Sequence, residues 1–231
     1  MTPETDHVLT VTRRWPAAEG HVGLTLRPED PSYMAAHRVS GQYLVLRGEP
    51  EAPPVFLALA AAPGRPEAEL LIRTGVGGPA DALAAREPGA RVLGALPAGP
   101  GFPVEGLAGR DVVLAAAGSG IAPIRAVIQQ VLADRGRYGR ITLYWGVLSQ
   151  AHVPYADELE AWRAGGIDTQ LVIGQAPSGE PGRRVQDVLA SASLSPANTS
   201  ALLCGMRPMV EAVREVLVGR GISPSSIHLN H

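Results

Sequence analysis

The segment with the clearest chemical character is a glycine-rich turn that follows the apolar run ending at Ala117. It consists of Gly118, Ser119, Gly120, Ile121, Ala122 and Pro123. Glycines allow a tight turn and close approach of the backbone to a ligand, and Pro123 suits the first position of a helix. Free N–H groups and the helix dipole would then converge on the turn, which predicts an anion-binding corner. A plain strand-to-helix turn is the alternative, because proline stands where a GxGxxG pattern has its third glycine.

Two further candidate segments also close apolar runs. Cys204 and Gly205 precede a helical pattern that begins near Met209, and a thiol at the carboxyl edge of a parallel sheet would face the ligand crevice. Trp145 and Gly146 end another run and could bracket a planar ligand. Packing is the competing interpretation of both segments, since a single cysteine is most often a small buried hydrophobic residue.

Metal and cluster chemistry is not expected. The chain has one cysteine, which excludes an internal disulfide framework and a CxxC cage. Its histidines share no spacing with Asp or Glu that would build a metal site. They are His7, His21, His37, His152, His228 and His231.

The elements that must position these candidates fall into two groups. Short runs bounded by Gly and Pro fill the first part of the chain, and this spacing is typical of a small antiparallel barrel or sandwich. The predicted strands are Val8–Thr12, Val22–Leu26, Gln42–Arg47, Val55–Ala61, Glu69–Thr74 and Ala90–Leu96.

From Arg110 onward, apolar runs alternate with helical patterns, which favours a doubly wound parallel sheet of five strands. The predicted strands are Asp111–Ala117, Ile141–Val147, Gln170–Ile173, Ala201–Cys204 and Ser226–Leu229. A Pro- and Gly-rich stretch separates the two groups. We therefore predict a β-barrel domain over 1–98, a linker over 99–109 and an α/β domain over 110–231.

Composition excludes several classes of protein. All 20 basic residues are arginine, yet they are scattered among 22 acidic residues at a net charge of -2, so nucleic acid is not an expected partner. The apolar runs are far shorter than the ~20 residues of a membrane span. The N-terminus lacks the features of a signal peptide, and we expect a cytoplasmic protein.

Together these motifs resemble the ferredoxin–NADP reductase superfamily, most closely its flavin reductases, dihydroorotate dehydrogenase electron-transfer subunits and hydrogenase gamma subunits. The motifs, in order, are Gly101–Val104, Gly118–Pro123, Tyr144–Gly146, Asp157–Leu159 and Cys204–Met209. The resemblance implies a six-stranded flavin barrel followed by a nicotinamide nucleotide domain. Hydride would pass from the nicotinamide to a flavin, and the chemistry would belong to the cofactors.

Carried over to this chain, the resemblance assigns the Gly118–Pro123 loop to the nicotinamide nucleotide. It places Cys204 and Gly205 against the nicotinamide ring. In the family, Arg or Ser just after the Tyr-Trp-Gly motif meets a 2′-phosphate, whereas Val147 and Leu148 stand here. NADH is therefore favoured over NADPH, unless Arg183 or Arg184 supplies the missing charge.

The barrel half departs from the family's flavin pattern. The Arg-x-Tyr/Phe-Ser/Thr signature falls on Val55 to Ala58 and includes Phe56, while the Gly-x-x-Ser/Thr motif begins at Gly77 and ends at Ala80. The lost contacts would weaken flavin binding by roughly 3 to 5 kcal/mol, so tight FAD is doubtful and weak binding or FMN is the alternative. Arg73 is the best substitute for the lost phosphate contact.

Other arginines that could replace it are Arg47 and Arg65. The end of the sequence carries no cysteines of the kind that hold a [2Fe–2S] cluster in related branches.

Two functions remain open. One is an NADH-dependent oxidoreductase that passes electrons through a flavin to free flavin or a partner protein. The other is a degenerate reductase-like subunit that binds a nucleotide, or none, and acts as a structural or regulatory partner.

Overall fold

The computed structural model describes residues 6–175 and 181–230, and its first half is a six-stranded antiparallel sheet. The strand order is β4-β3-β6-β1-β2-β5. All six strands were expected, although β1 extends six residues beyond its predicted end, through Ala18. The strands are β1 His7–Ala18, β2 His21–Pro28, β3 Tyr43–Arg47, β4 Val55–Ala58, β5 Ala68–Arg73 and β6 Arg91–Gly94.

The two edges of this sheet meet, so the barrel prediction is confirmed over the sandwich. Leu59 forms a bridge with Leu70, and the Ala60 N–H donates to the Glu69 carbonyl at 2.8 Å. Alternate residues of the strands point inward and are almost completely buried, as the period of two requires. They include Leu9, Val11, Leu24, Leu26, Leu44 and Leu46.

The second half is a five-stranded parallel sheet in the order β11-β10-β7-β8-β9, which confirms the predicted doubly wound domain. Its strands are β7 Asp111–Ala117, β8 Ile141–Val147, β9 Ile167–Ile173, β10 Thr199–Cys204 and β11 Ile227–Leu229. The α-helices in the described part of the chain are α1 Pro79–Ala84, in the barrel half, then α2 Ile121–Ala133, α3 Leu159–Ala164, α4 Val185–Ala190 and α5 Arg207–Gly219.

Helices cover both faces of this sheet. Apolar residues of α2 and α3 belong to one buried cluster, and those of α4 and α5 belong to another on the opposite face. The central strand β7 is buried on both sides, which explains its continuous apolar run. Helix α2 begins at Ile121, two residues before the predicted start at Pro123. Proline is tolerated there because first-turn N–H groups have no partner within the helix.

The strand order reverses between β7 and β10. The chain proceeds from β7 to β8 and β9 on one side and returns to β10 and β11 on the other. Cys204 at the end of β10 pairs with Ala116 near the end of β7. The loops that follow these two strands therefore open at a topological switch point, the usual ligand crevice of such sheets.

One buried arginine of α2 joins the two halves of the chain. The Arg125 guanidinium contacts Glu158 of the α/β half at 2.7 Å. It also contacts Glu69 of the barrel at 3.1 Å and donates to the Ala60 carbonyl at 2.8 Å. The same group stacks over the Tyr155 ring at 4.4 Å. These contacts fix the barrel against the α/β half.

Within the described ranges, no helix is both long enough and apolar enough to cross a membrane. The predicted linker 99–109 contributes Phe102, Val104 and Leu107 to the buried cluster under α2. The boundaries drawn for the two domains stay a prediction.

Candidate functional site: an interdomain cavity

A cavity of about 960 Å³ lies between the barrel and the carboxyl edge of the parallel sheet. Strands β4 and β5 form its barrel wall, and the loops after β7 and β10 form the facing wall. Binding pockets for small molecules and cofactors typically measure about 300–1,000 Å³. The cavity is therefore large enough for a sizeable planar ligand.

Most of the residues predicted for the site line this one cavity. From the barrel they are Phe56, Ala58 and Arg73. From the α/β half they are Gly118, Ser119, Gly120, Ala122, Pro123, Gly146, Cys204, Gly205 and Met209. Two sets of residues far apart in sequence thus face each other across a shared space.

Three predicted site residues lie elsewhere. Ile121 and Trp145 are fully buried in the core, which favours the packing interpretation of Trp145. Its indole Nε1–H donates to the Gly118 carbonyl at 3.3 Å, so the ring supports the glycine-rich turn from below. Gly77 does not line the cavity, and its N–H donates to the Asp81 carboxylate at 2.5 Å.

Gly120 has a structural requirement that the sequence motif did not reveal. A Cβ atom at this position would lie 2.4 Å from the Cys204 carbonyl oxygen and 2.9 Å from the Gly205 Cα. Such distances are incompatible with van der Waals contact, so only glycine lets the two loops pack together. The residue is needed for contact between protein segments as well as for any approach of a ligand.

Cys204 lies at the cavity as a neutral thiol. Burial raises its pKa to about 11, although the Asn230 amide, 3.9 Å from the sulfur, opposes that shift. A thiolate is the nucleophilic form of cysteine, and this environment disfavours it. The side chain can therefore contact a ring or donate a weak hydrogen bond, and it is poorly suited to covalent catalysis.

The charged lining of the cavity is entirely basic. Among the described residues that line it, the charged side chains are Arg73, Arg183 and Arg184, and no Asp or Glu belongs to the set. His21 and His152 complete the titratable groups of the wall other than the thiol. Since the chain has more acidic than basic residues, this separation of charge marks the cavity as a place for an anionic ligand.

Arg47, Arg65 and Arg73 are the candidates to replace the phosphate contact that the arginine of the flavin signature would make. Among the described residues that line the cavity, Arg73 is the one of the three that is present. Arg47 instead pairs with Asp6 at 3.2 Å, and Arg65 is exposed away from the cavity. Val55 is buried in the barrel core.

Sequence reasoning missed His21 and His152. Sequence spacing bears only on a metal-binding role for the histidines, and no group of three metal-ligating side chains occurs in the part of the chain that the structure describes. His231 lies outside the described residues. The pairing of β2 with β5, which places His21 opposite Arg73, is a long-range contact with no local signal in the sequence.

Comparison with known proteins supports a nucleotide-binding role for the α/β half. A family model for the oxidoreductase NAD-binding domain matches residues 114–215. The sulfhydrogenase 1 gamma subunit of Pyrococcus furiosus is 33% identical over 146 residues, which cover 61% of this chain and 50% of the relative. Residues 114–215 therefore match the oxidoreductase NAD-binding domain family.

Two further proteins match over more of the chain. The fruit protein pKIWI502 of Actinidia deliciosa is 27% identical over 204 residues, or 81% of this chain and 64% of the relative. A ferredoxin NADP+ reductase from Neisseria gonorrhoeae, solved with bound FAD and NADP, has the same fold, with a TM-score of 0.83 at 21% identity and 97% coverage of both chains. The match to the sulfhydrogenase subunit spans only half of that relative's length.

Proposed function

We propose that the protein is an NAD(P)H-dependent oxidoreductase that transfers hydride from a nicotinamide dinucleotide to a flavin. From there, electrons would pass to free flavin or to a partner protein. The observation that supports the proposal is the cavity in which the loops after β7 and β10 face the barrel wall. The resemblance to the ferredoxin–NADP reductase superfamily assigns these loops to the nicotinamide nucleotide. A single cysteine suits the reducing cytoplasm, where we expect the protein to act.

The nicotinamide side of the cavity has the features that a dinucleotide requires. The turn at Gly118–Gly120 leads into α2, a helix of 13 residues whose first N–H groups and dipole attract phosphate. Gly205 has a φ of +156°, and a Cβ atom added at this position would lie 3.0 Å from the Ala117 Cβ. Glycine therefore allows the two segments of this wall to pack closely. We assign the phosphates to the Gly118–Pro123 loop and the nicotinamide ring to the surface of Cys204 and Gly205.

The barrel side suits a ring better than it suits a tightly anchored cofactor. Phe56 lines the cavity and is 64% exposed, and Leu57 and Ala58 belong to the same apolar wall. An isoalloxazine ring fits such a wall, and a bound flavin would accept the hydride. Ala58 offers no hydroxyl to orient the ring, so we propose a flavin that binds weakly and exchanges with solution.

The preference for NADH over NADPH stays a prediction. Arg183 and Arg184 line the same cavity as Val147 and Leu148, which is the condition under which a 2′-phosphate would be accepted. The test measures the affinities for NADH and NADPH in the wild type and in the variants Arg183→Gln and Arg184→Gln. It shows whether these arginines bind the 2′-phosphate of NADPH. Loss of NADPH affinity alone would assign the phosphate to these arginines.

A direct test is anaerobic reduction of FMN, FAD or riboflavin by NADH. Ala58→Trp fills the barrel wall and should abolish flavin reduction, whereas Ala82→Trp, on the exposed surface of α1, should not. Equal rates in the two variants would refute the placement of the flavin.

The absence of hydroxyl groups at Ala58 and Ala80 favours the second candidate function, a nucleotide-binding or structural subunit. Wild-type protein that binds NADH but reduces no flavin would establish this second function.

A further inference from the structure

Three basic side chains meet at the barrel end of the cavity, and we call His21, Arg73 and His152 the basic corner. His21 of β2 and Arg73 of β5 are direct partners in an antiparallel ladder, so their side chains lie on the same face. His152 comes from the turn after β8, on the opposite half of the chain. The Glu19 N–H donates to the Ala151 carbonyl at 2.9 Å and holds the two segments together beside the corner.

His21 has a buried nitrogen without a protein partner. Its ring is 7% exposed, and Nδ1 donates to the Glu19 carbonyl at 3.0 Å. Nε2 is buried and makes no hydrogen bond to any described residue. Buried polar groups in folded proteins nearly always have partners, and because His21 lines the cavity, a ligand bound there is the candidate partner of this nitrogen.

The groups around His21 favour an anion as the ligand that contacts it. Burial lowers the pKa of His21, and the nearby charges of His152 and Arg73 lower it further. No described carboxylate lines this part of the cavity, and no described acidic residue forms an ion pair with Arg73 or His152. The Ser149 hydroxyl lies 2.9 Å from His152 Nδ1 and leaves its other ring nitrogen available. An anion bound here would pair with the Arg73 guanidinium and favour the protonated form of His21.

We propose that the basic corner binds a phosphate group of the ligand held in the cavity. The inference rests on the proposed function, and the phosphate belongs either to the flavin or to the dinucleotide. Arg73 donates guanidinium N–H groups, and His21 takes up a proton on Nε2 in order to donate as well. The residues of the basic corner come from β2, β5 and the turn after β8. They supply the positive charge that the family's arginine would carry at the position of Val55.

The first test compares ligands that differ by one phosphate. FMN should bind to the wild type about ten- to a hundredfold more tightly than riboflavin, the range expected for charge-assisted hydrogen bonds. Arg73→Gln should remove most of this difference, whereas Arg65→Gln, at an exposed arginine away from the cavity, should keep it. If the dinucleotide supplies the phosphate, Arg73→Gln lowers NADH affinity by a similar factor and leaves the FMN to riboflavin ratio near one in both proteins. Unchanged FMN and NADH affinities in Arg73→Gln would overturn the proposal.

The second test reads the protonation of His21 directly. In ¹⁵N-histidine spectra, a saturating phosphate ligand should raise the pKa of His21, and riboflavin should leave it unchanged. His21→Gln identifies the signal, and a pKa that does not respond to FMN, NADH or inorganic pyrophosphate would overturn the proposal.

The two proposals fail separately. Suppose that pyrophosphate binding requires Arg73 and raises the pKa of His21, but the protein reduces no flavin. This result would support the phosphate site at the basic corner and refute the oxidoreductase activity. Flavin reduction at the wild-type rate in Arg73→Gln, with no response of His21, would refute the basic corner and leave the oxidoreductase standing.

Discussion

Replacement of Arg125 by glutamine should destabilise the protein far more than the loss of an ordinary ion pair. The Arg125 side chain is 10% exposed and its carboxylate partners Glu69 and Glu158 are 24% and 27% exposed. Removing one partner of a buried charge cluster leaves the others without compensation and costs about 3–5 kcal/mol. Because both carboxylates keep some access to water, we expect a loss near the lower limit, about 3 kcal/mol.

Urea denaturation of Arg125→Gln, followed by circular dichroism, measures this loss. Arg27→Gln is a matched control, since Arg27 contacts Glu67 at 2.8 Å but is 67% exposed. Exposed pairs contribute less than about 1 kcal/mol, so the control should unfold almost like the wild type. Equal free energies of unfolding for the two variants would refute the role of Arg125 in joining the barrel to the α/β half.

Three other changes have defined outcomes. Gly120→Ala should cost about 1–3 kcal/mol of stability and weaken NADH binding, because the new Cβ would lie 2.4 Å from the Cys204 carbonyl oxygen. Gly136→Ala, whose Cβ would contact nothing within 4 Å, is its control in urea and NADH titrations, and equal behaviour of the two would contradict the packing described. Cys204→Ala should slow hydride transfer with near-normal NADH affinity, and an unaltered stopped-flow rate would leave the thiol only a packing role. Burial lowers the pKa of His37 from 6.5 to about 4, so the unfolded chain takes up a proton that the folded chain excludes. Stability should therefore fall by about 2 kcal/mol between pH 7 and pH 5, and a His37→Gln variant with the same pH dependence would refute that origin.

Much of the fold could be predicted because local patterns and long-range structure agree. The β7 run of small and branched apolar residues has the composition of a strand buried on both faces, and the spacing of apolar residues in α2 matches one helix face. Boundaries were less certain where two signals compete. Pro123 suggested a helix start, yet Gly118 to Gly120 already forms a tight turn that feeds the helix two residues earlier.

The site was only partly predictable, for a different reason. Gly118, Gly120 and Cys204 follow strands, so their position at the carboxyl edge follows from the topology. The opposing wall depends on strand pairing between distant segments, and nothing local shows that His21 faces Arg73. Trp145 illustrates the converse, since its place in a conspicuous motif suggested ligand contact and its buried ring supports the loop instead.

The visible spectrum of the purified protein with saturating FMN or FAD, recorded before and after anaerobic addition of NADH, tests the proposed function most directly. We predict a shifted flavin spectrum on binding, followed by bleaching of the yellow colour when NADH is added. A flavin spectrum that is unperturbed at saturation, or a bound flavin that stays oxidised in excess NADH, would contradict the proposed hydride transfer.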